Sequence, residues 1–282
     1  MVERRPSLDL LAHLVLLTGI LILVFPVYIT FVASTRDATD IIHGTMPLYP
    51  GPDLIENYRG ALFQGSERLR TTPVSTMMLN SLVMALTIAL GKICISIVSA
   101  YAIVYFRFPL RMPAFWMIFI TLMLPVEVRI YPTFKIVADL GMVDTYAGLT
   151  VPLIASATAT LLFRQFFMTI PDELVEASKM DGAGPIRFFF DTVLPLSRTN
   201  IAALFVILFI YGWNQYLWPL LVTNSAQMDT IVIGIKRMIV TSDAQTEWQT
   251  VMATAMLAML PPVAVVLLMQ RWFVKGLVES EK

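Results

Sequence analysis

Two closely spaced side chains of opposite charge, Glu127 and Arg129, stand in or just beyond an otherwise apolar stretch, where an ionisable group is a functional candidate by default. The planar guanidinium of Arg129 matches phosphate oxygens with paired hydrogen bonds, so it could draw in a phosphate-bearing solute. The competing reading is an ion pair with Glu127, or snorkelling of the arginine to lipid headgroups. Farther along, Trp213, Asn214, Gln215 and Tyr216 interrupt an apolar run with amides and aromatic rings that lipid solvates poorly. They should therefore face protein or a water-filled path. Packing between helices, with Asn214 satisfying a neighbouring backbone, would explain them equally well. Lys92, beside Gly91 in the middle of a run, raises the same question and could pair with a carbonyl or an acid.

Other chemistries lack their residues. Gly91-Lys92 has neither the first glycine of a phosphate loop nor its hydroxyl residue, since Ile93 follows, so ATP hydrolysis would fall to a partner. The sequence contains no His-Glu-x-x-His, and no Ser/His/Asp or paired-carboxylate arrangement stands out near a membrane surface. Cys94 is the single cysteine and lies inside an apolar run, which rules out an internal disulfide or a cysteine metal site. His13 and His43 are too far apart in sequence to suggest a metal centre. With 20 Lys+Arg against 20 Asp+Glu there is no net field to attract nucleic acid.

The elements that must position these groups follow from hydropathy. The sequence is 57% hydrophobic and only 14% charged, with a mean hydropathy of +0.74, so lipid is its main solvent. A hydrocarbon layer of about 30 Å takes roughly 20 apolar residues in a helix. Six stretches approach or exceed that length: 10–34, 77–106, 115–134, 146–167, 201–222 and 251–273. The expected fold is all-α, with six transmembrane helices and both termini on one side. Arg4 and Arg5 precede the first run and no small-residue cleavage site follows it, so this run is expected to be kept as an anchor. Loop charges set the orientation. Arg4, Arg5, Arg107, Arg111, Arg164, Lys179, Arg187, Arg198, Arg271, Lys275 and Lys282 fall on one side. Arg36, Arg59, Arg68, Arg70, Arg129, Lys135, Lys236 and Arg237 fall on the other, four of them in the long first loop, where the bias is less informative. Both termini are therefore expected in the cytoplasm.

The connections differ in kind. Met46-Pro-Leu-Tyr-Pro-Gly-Pro52 suits an outer loop. Between the fourth and fifth runs, Pro171-Asp172-Glu173 suits a helix start, with acids at the positive end of the helix dipole. Leu174, Val175 and Ser178 would share one face, and Asp181-Gly182 would end the helix. A second short helix is expected from Pro185 to Thr192, broken by Leu194-Pro195. The two would form a compact knuckle, for which an amphipathic helix at headgroup level is the plainer interpretation.

In this knuckle Glu176-Ala177-Ser178, then Gly182, then Leu194-Pro195 resembles the signature of bacterial ABC importer permeases, with Ser178 in place of a second alanine and Thr192 where isoleucine is usual. The likeness extends over about 80–276. It takes in Asn80-Ser81-Leu82, Ala100-Tyr101-Ala102, Trp213 to Tyr216 and Arg271-Trp-Phe-Val-Lys-Gly276. Segments 106–111, 116–130 and 211–220 and the tail from Val278 to Lys282 are most similar to permeases for substrates of the glycerol-phosphate type. Such a resemblance implies an inner-membrane domain over 75–273, preceded by a first helix and periplasmic loop (1–74) and followed by a cytoplasmic tail (274–282). It implies that Glu173, Glu176, Ala177, Ser178, Asp181, Gly182, Leu194 and Pro195 form a coupling element that docks on an ATPase subunit. It implies a translocation pathway among Asn80, Glu127, Arg129 and Trp213 to Tyr216. The implied partners are a homologous permease, two ATPase subunits that use ATP and Mg, a periplasmic binding protein and membrane lipid, with no cofactor held by this chain. Glycerophosphodiesters or a neutral sugar remain alternative cargoes. A secondary transporter is the alternative from another class, but it would need more ionisable groups deep in the bundle than Lys92, and commonly an internal repeat.

Overall fold

The computed structural model describes residues 6–64, 72–121, 123–239 and 246–279, and for 6–9, 126, 127 and 271–279 it describes the backbone alone. Arg4, Arg5, Arg68, Arg70 and Lys282, and the side chains of Arg271 and Lys275, all used above for orientation, lie outside the described residues.

Among the described residues the regular structure is helical. In order it comprises α1 (Pro6–Ser34), α2 (Ala38–Ile42), α3 (Leu54–Phe63), α4 (Val74–Tyr105) and α5 (Arg111–Ile120). There follow α6 (Val126–Asp139), α7 (Tyr146–Thr150), α8 (Ala157–Phe167), α9 (Asp172–Met180) and α10 (Pro185–Phe188). The rest are α11 (Leu194–Leu196), α12 (Arg198–Trp213), α13 (Leu217–Val222), α14 (Ile231–Met238) and α15 (Trp248–Glu279). Leu10–Ser34, Val74–Tyr105 and Trp248–Gln270 are each long and apolar enough to cross a membrane. Two bent pairs raise the number to five if each is one span: Tyr146–Leu153 with Ala157–Phe167, bent by 45°, and Pro185–Leu196 with Arg198–Trp213, bent by 69°.

The first, second and last expected runs are single helices, whereas the third, fourth and fifth are broken. In the third, α5 stops at Ile120 and α6 begins only after Pro125, whose ψ of 145° lies outside the helical region. A proline also biases the residue before it away from helix. In the fourth, α7 tightens into a 3-10 turn over Val151–Leu153, and α8 restarts under Ser156, whose Oγ accepts the Ala159 N–H at 3.2 Å. In the fifth, α12 ends at Trp213 and α13 begins at Leu217, so the interruption read from Asn214 to Tyr216 is a break in the backbone helix. Apolar content alone does not register these breaks, because the residues on either side remain apolar.

The chain divides into two compact units. One comprises residues 1–77 and 233–260. Here the Pro/Gly-rich stretch after α2 is pinned down. The Arg36 guanidinium lies 4.8 Å from the Tyr49 ring centre, and its Nη2 donates to the Tyr49 carbonyl at 2.8 Å. Asn57 on α3 donates to the carbonyls of Ser34 (3.1 Å) and Arg36 (3.0 Å), closing the end of α1. The Thr39 backbone N–H and hydroxyl both donate to Asp37 at the start of α2 and hold its carboxyl below the usual carboxylate range. Gly234 leaves room for the Met77 thioether, which a Cβ there would strike.

The other unit comprises residues 78–232 and 261–282. Its core gathers Met84, Ile88, Val137, Leu149, Trp218 and Val222, all buried. Gly212 allows α12 to approach α4 closely, since a Cβ there would sit 2.9 Å from the Cα of Ala85. Asp144, at φ 57°, uses its carboxylate to accept the N–H groups of Asn224 (2.7 Å) and Ser225 (2.9 Å) and so fixes the turn after α13.

Candidate functional site

Two of the three breaks in the helices have a common destination. Within the second unit a cavity of about 470 Å³ is lined by Pro152, Leu153 and Ala155 from the fourth run's break and by Gln215, Tyr216 and Leu217 from the fifth's. Arg129, Ile130 and Thr133 of α6, Lys92 of α4, Tyr211 of α12 and Trp218 of α13 complete the lining. Non-helical backbone at membrane depth is tolerated where it is buried in protein or lines a cavity, and two of the breaks line this one.

Lys92 is only 7% exposed. Its ammonium lies 3.9 Å from the centre of the Tyr211 ring, so the π face takes the place of the carbonyl or acid expected from sequence. Gln215 donates to the Tyr211 carbonyl at 3.1 Å, four residues back, which ties the broken end of α12 to the cavity wall. Arg129 is exposed. Glu127 lies on the helical backbone of α6, and its side chain, with the ion pair to Arg129 considered from sequence, is outside the described residues.

The structure brings Arg129, Gln215 and Tyr216 together on this cavity. Asn214 is exposed at the break, whereas Trp213 is buried and stacks on Phe209 with ring centres 6.0 Å apart. Asn80 stands apart from the cavity lining, 1% exposed. Its Nδ2 donates to the carbonyls of Gln227 (2.8 Å) and Asp229 (3.0 Å), and its Oδ1 accepts the Tyr146 hydroxyl at 2.6 Å. These bonds make it a fastener between α4, α7 and the loop before α14. Replacing Asn80 with leucine should strand groups costing about 1–3 kcal/mol each and lower the melting temperature of the purified protein by at least about 5 °C. Thermal unfolding in detergent checks this, and an unchanged midpoint would remove the fastening role.

Sequence reasoning missed Tyr211 as part of the site. Its signal was position: it stands four residues before Gln215, one turn away on the same face of the chain.

The second candidate is the knuckle. Among the described residues of α9 none is buried. Glu173, Glu176, Asp181 and Gly182 are exposed, and Ala177 and Ser178 are half-buried. Met180 (83% exposed) and Ile186 (75%) add apolar surface. The Ala183 N–H bonds to the Ser178 carbonyl at 3.0 Å while Gly182 sits at φ +71°, the left-handed helix stop expected from Asp181-Gly182.

The expected break at Leu194-Pro195 is corrected. From Pro185 the chain stays helical through α10, a wider π-type turn over Phe189–Val193, and α11 to Leu196. The Leu194 N–H reaches back five residues to the Phe189 carbonyl. The widened turn accommodates the Pro195 ring and its missing N–H, so the bend comes after Ser197. Leu194 and Pro195 are half-buried.

Two tyrosines clasp this knuckle to α4. The Tyr101 hydroxyl donates to the Pro185 carbonyl at 2.7 Å, and the Tyr105 hydroxyl to the Phe167 carbonyl at 3.3 Å. Their rings meet Phe189 and Phe188 at 4.9 and 5.3 Å between centres.

A cavity between broken helices and an exposed helical knuckle are parts expected of a transport subunit. The family model described as binding-protein-dependent transport system inner membrane component matches residues 92–279. The chain belongs to this family. It is therefore a non-catalytic, multi-pass inner-membrane permease that works in a binding-protein-dependent ABC transporter, which implies ATPase and binding-protein partners. The permease is 64% identical over 282 residues, covering 100% of both chains, to the sn-glycerol-3-phosphate transport system permease protein UgpE of Brucella melitensis. The Rhizobium meliloti protein of the same name is equally similar, and that of Pectobacterium atrosepticum is 61% identical, again end to end. The permease fold also matches the crystal structure of a bacterial ABC transporter involved in the import of the acidic polysaccharide alginate. The TM-score is 0.80 at 18% identity, over 97% of this chain and 99% of that one, which shows a shared fold.

Proposed function

We propose that this permease carries sn-glycerol-3-phosphate across the inner membrane as one of two homologous subunits of an ATP-driven importer. The observation that carries this reading is 64% identity, end to end, to permeases of that transport system. The chain makes six crossings, formed by α1, α4, α5 with α6, α7 with α8, α12 with α13, and α15. Both termini lie in the cytoplasm, and the permease core runs over 75–273 between a first helix with its periplasmic loop (1–74) and a cytoplasmic tail (274–282).

The knuckle docks on one of two ATPase subunits, which hold the ATP and Mg, and this chain needs no cofactor of its own. The absence of buried residues in α9 supports the docking role, as do exposed Glu173, Glu176 and Gly182. Closure of the ATPase dimer on ATP moves the knuckle and shifts the population from inward- to outward-facing, after which a periplasmic binding protein releases its cargo into the pathway. Such a shift requires docking contacts that differ in energy between the two states. Arg129, Gln215 and Tyr216 on the cavity, with Asn214 at the break, contribute to the pathway.

ATPase activity of the reconstituted complex tests the assignment, with binding protein presented with sn-glycerol-3-phosphate, a glycerophosphodiester or maltose. Stimulation by sn-glycerol-3-phosphate and not by maltose is expected. Stimulation by the diester alone would move the assignment to that cargo, and stimulation by none of the three would remove the substrate claim.

A further inference from the structure

Lys92 is a cation buried in the middle of a membrane helix, a position that is costly unless its charge is answered. Among the described residues the group of opposite polarity that meets it is the π face of Tyr211, at 3.9 Å. A ring covers one side of an ammonium and accepts no full hydrogen bond, so the N–H donors are offered to the cavity that Lys92 lines, where water or an anion can accept them. Lys92 and Arg129 line the same cavity, and no carboxylate stands among its described lining residues. Two cations are thus brought together without a described anion, beside Thr133 and Gln215, which can hydrogen-bond to oxygen.

We infer that this cavity is a station for the phosphate group of the transported ester, with Lys92 and Arg129 as its two ligands and Tyr211 as the platform that holds the Lys92 ammonium. Arg129 on exposed α6 meets the anion first, and Lys92 takes a share of its charge deeper in the helix bundle. The anion supplies the charge that Lys92 otherwise lacks, while the lysine replaces part of the water that the phosphate gives up. Because Tyr211 holds the ammonium by a π face and not by a carboxylate, no carboxylate among the described lining residues competes with the phosphate there. This deepens the reading of the chain as an sn-glycerol-3-phosphate permease and rests on it.

The test uses the full complex in proteoliposomes, with initial uptake of labelled sn-glycerol-3-phosphate measured at saturating binding protein. Lys92→Met and Arg129→Gln should each lower the maximal uptake rate by at least about tenfold, the size expected on losing one charge-assisted hydrogen bond. Arg129→Lys, which keeps the charge, should restore most of it. The half-saturating binding-protein concentration should stay unchanged, since delivery precedes the station. If Lys92→Met complexes do not assemble, Arg129→Gln and its lysine rescue carry the test, because the Arg129 side chain is exposed and its loss disturbs no packing. Wild-type uptake with an unaffected neutral variant overturns the station and leaves the permease assignment standing. Failure of the wild-type complex to import sn-glycerol-3-phosphate overturns both.

Discussion

Replacing Gly148 with valine is expected to lower the amount of protein in the membrane at least about fivefold, the result of a stability loss of several kcal/mol. Gly148 lies on α7 where three constraints meet. Its N–H donates to the Thr145 hydroxyl at 3.0 Å, and its carbonyl accepts the indole N–H of buried Trp218 at 3.0 Å. A Cβ would fall on the Met142 carbonyl oxygen, which already accepts the Thr145 hydroxyl at 2.6 Å, and would press on Val222 at 3.1 Å. Overpacking alone costs about 1–3 kcal/mol, and displacing Trp218 adds the loss of its hydrogen bond and of its place in the core. Alanine should also be harmful here, because the first carbon causes the collision. Immunoblots of membranes and thermal unfolding of purified protein check this. A valine variant with wild-type abundance and midpoint would show that the α7–α13 contact is drawn wrongly.

Gly182→Val should abolish most transport, with substrate-stimulated ATPase falling at least about tenfold, while Gly182→Asn should retain most of both. The contrast isolates backbone conformation from volume. Nothing lies within 4 Å of a Cβ at Gly182, so the first carbon of a side chain meets no obstacle, but φ is +71°. Asparagine visits that region readily, whereas a β-branched residue there is strained. Relief of the strain would swing α10 relative to α9 and spoil the surface that we propose docks on the ATPase. Paired ATPase and uptake assays on reconstituted complexes decide the matter. Normal stimulated ATPase and uptake in the valine variant would refute the lever role of the knuckle.

Much of the fold was legible because the first, second and last of the six apolar runs are uninterrupted, and a single helix is the simplest way to bury their backbones. The breaks in the other three were only partly legible. Asn214 to Tyr216 announced one through its polar groups, whereas Ala155-Ser156 offered nothing comparable beyond a nearby Pro152. Proline misled at Pro195, because a widened turn upstream absorbs it and the helix continues. At the site, Lys92 was conspicuous as a charge among apolar residues, yet its neighbour Tyr211 is distant in sequence and only folding brings them within 3.9 Å. Asn80, a polar residue in the same run, entered only through the family resemblance, and burial and three hydrogen bonds give it a fastening task. Polarity in an apolar run therefore marks a residue as important without saying whether it holds the protein together or handles cargo.

The tyrosine clasp has a mechanical corollary. Tyr101 and Lys92 ride on the same unbroken helix, α4, nine residues apart and so about 14 Å along its axis. A hydrogen-bonded helix is stiff over that length, which makes this stretch a connecting rod: its Tyr101 end is gripped by Pro185 and Phe189, and farther along it carries the cavity's buried charge. A stroke applied at the knuckle then travels to the ammonium as displacement and is not dissipated in loop motion. The rod also works in reverse, so an anion that pulls on Lys92 loads the grip at Tyr101, giving an occupied cavity a way to be felt at the knuckle.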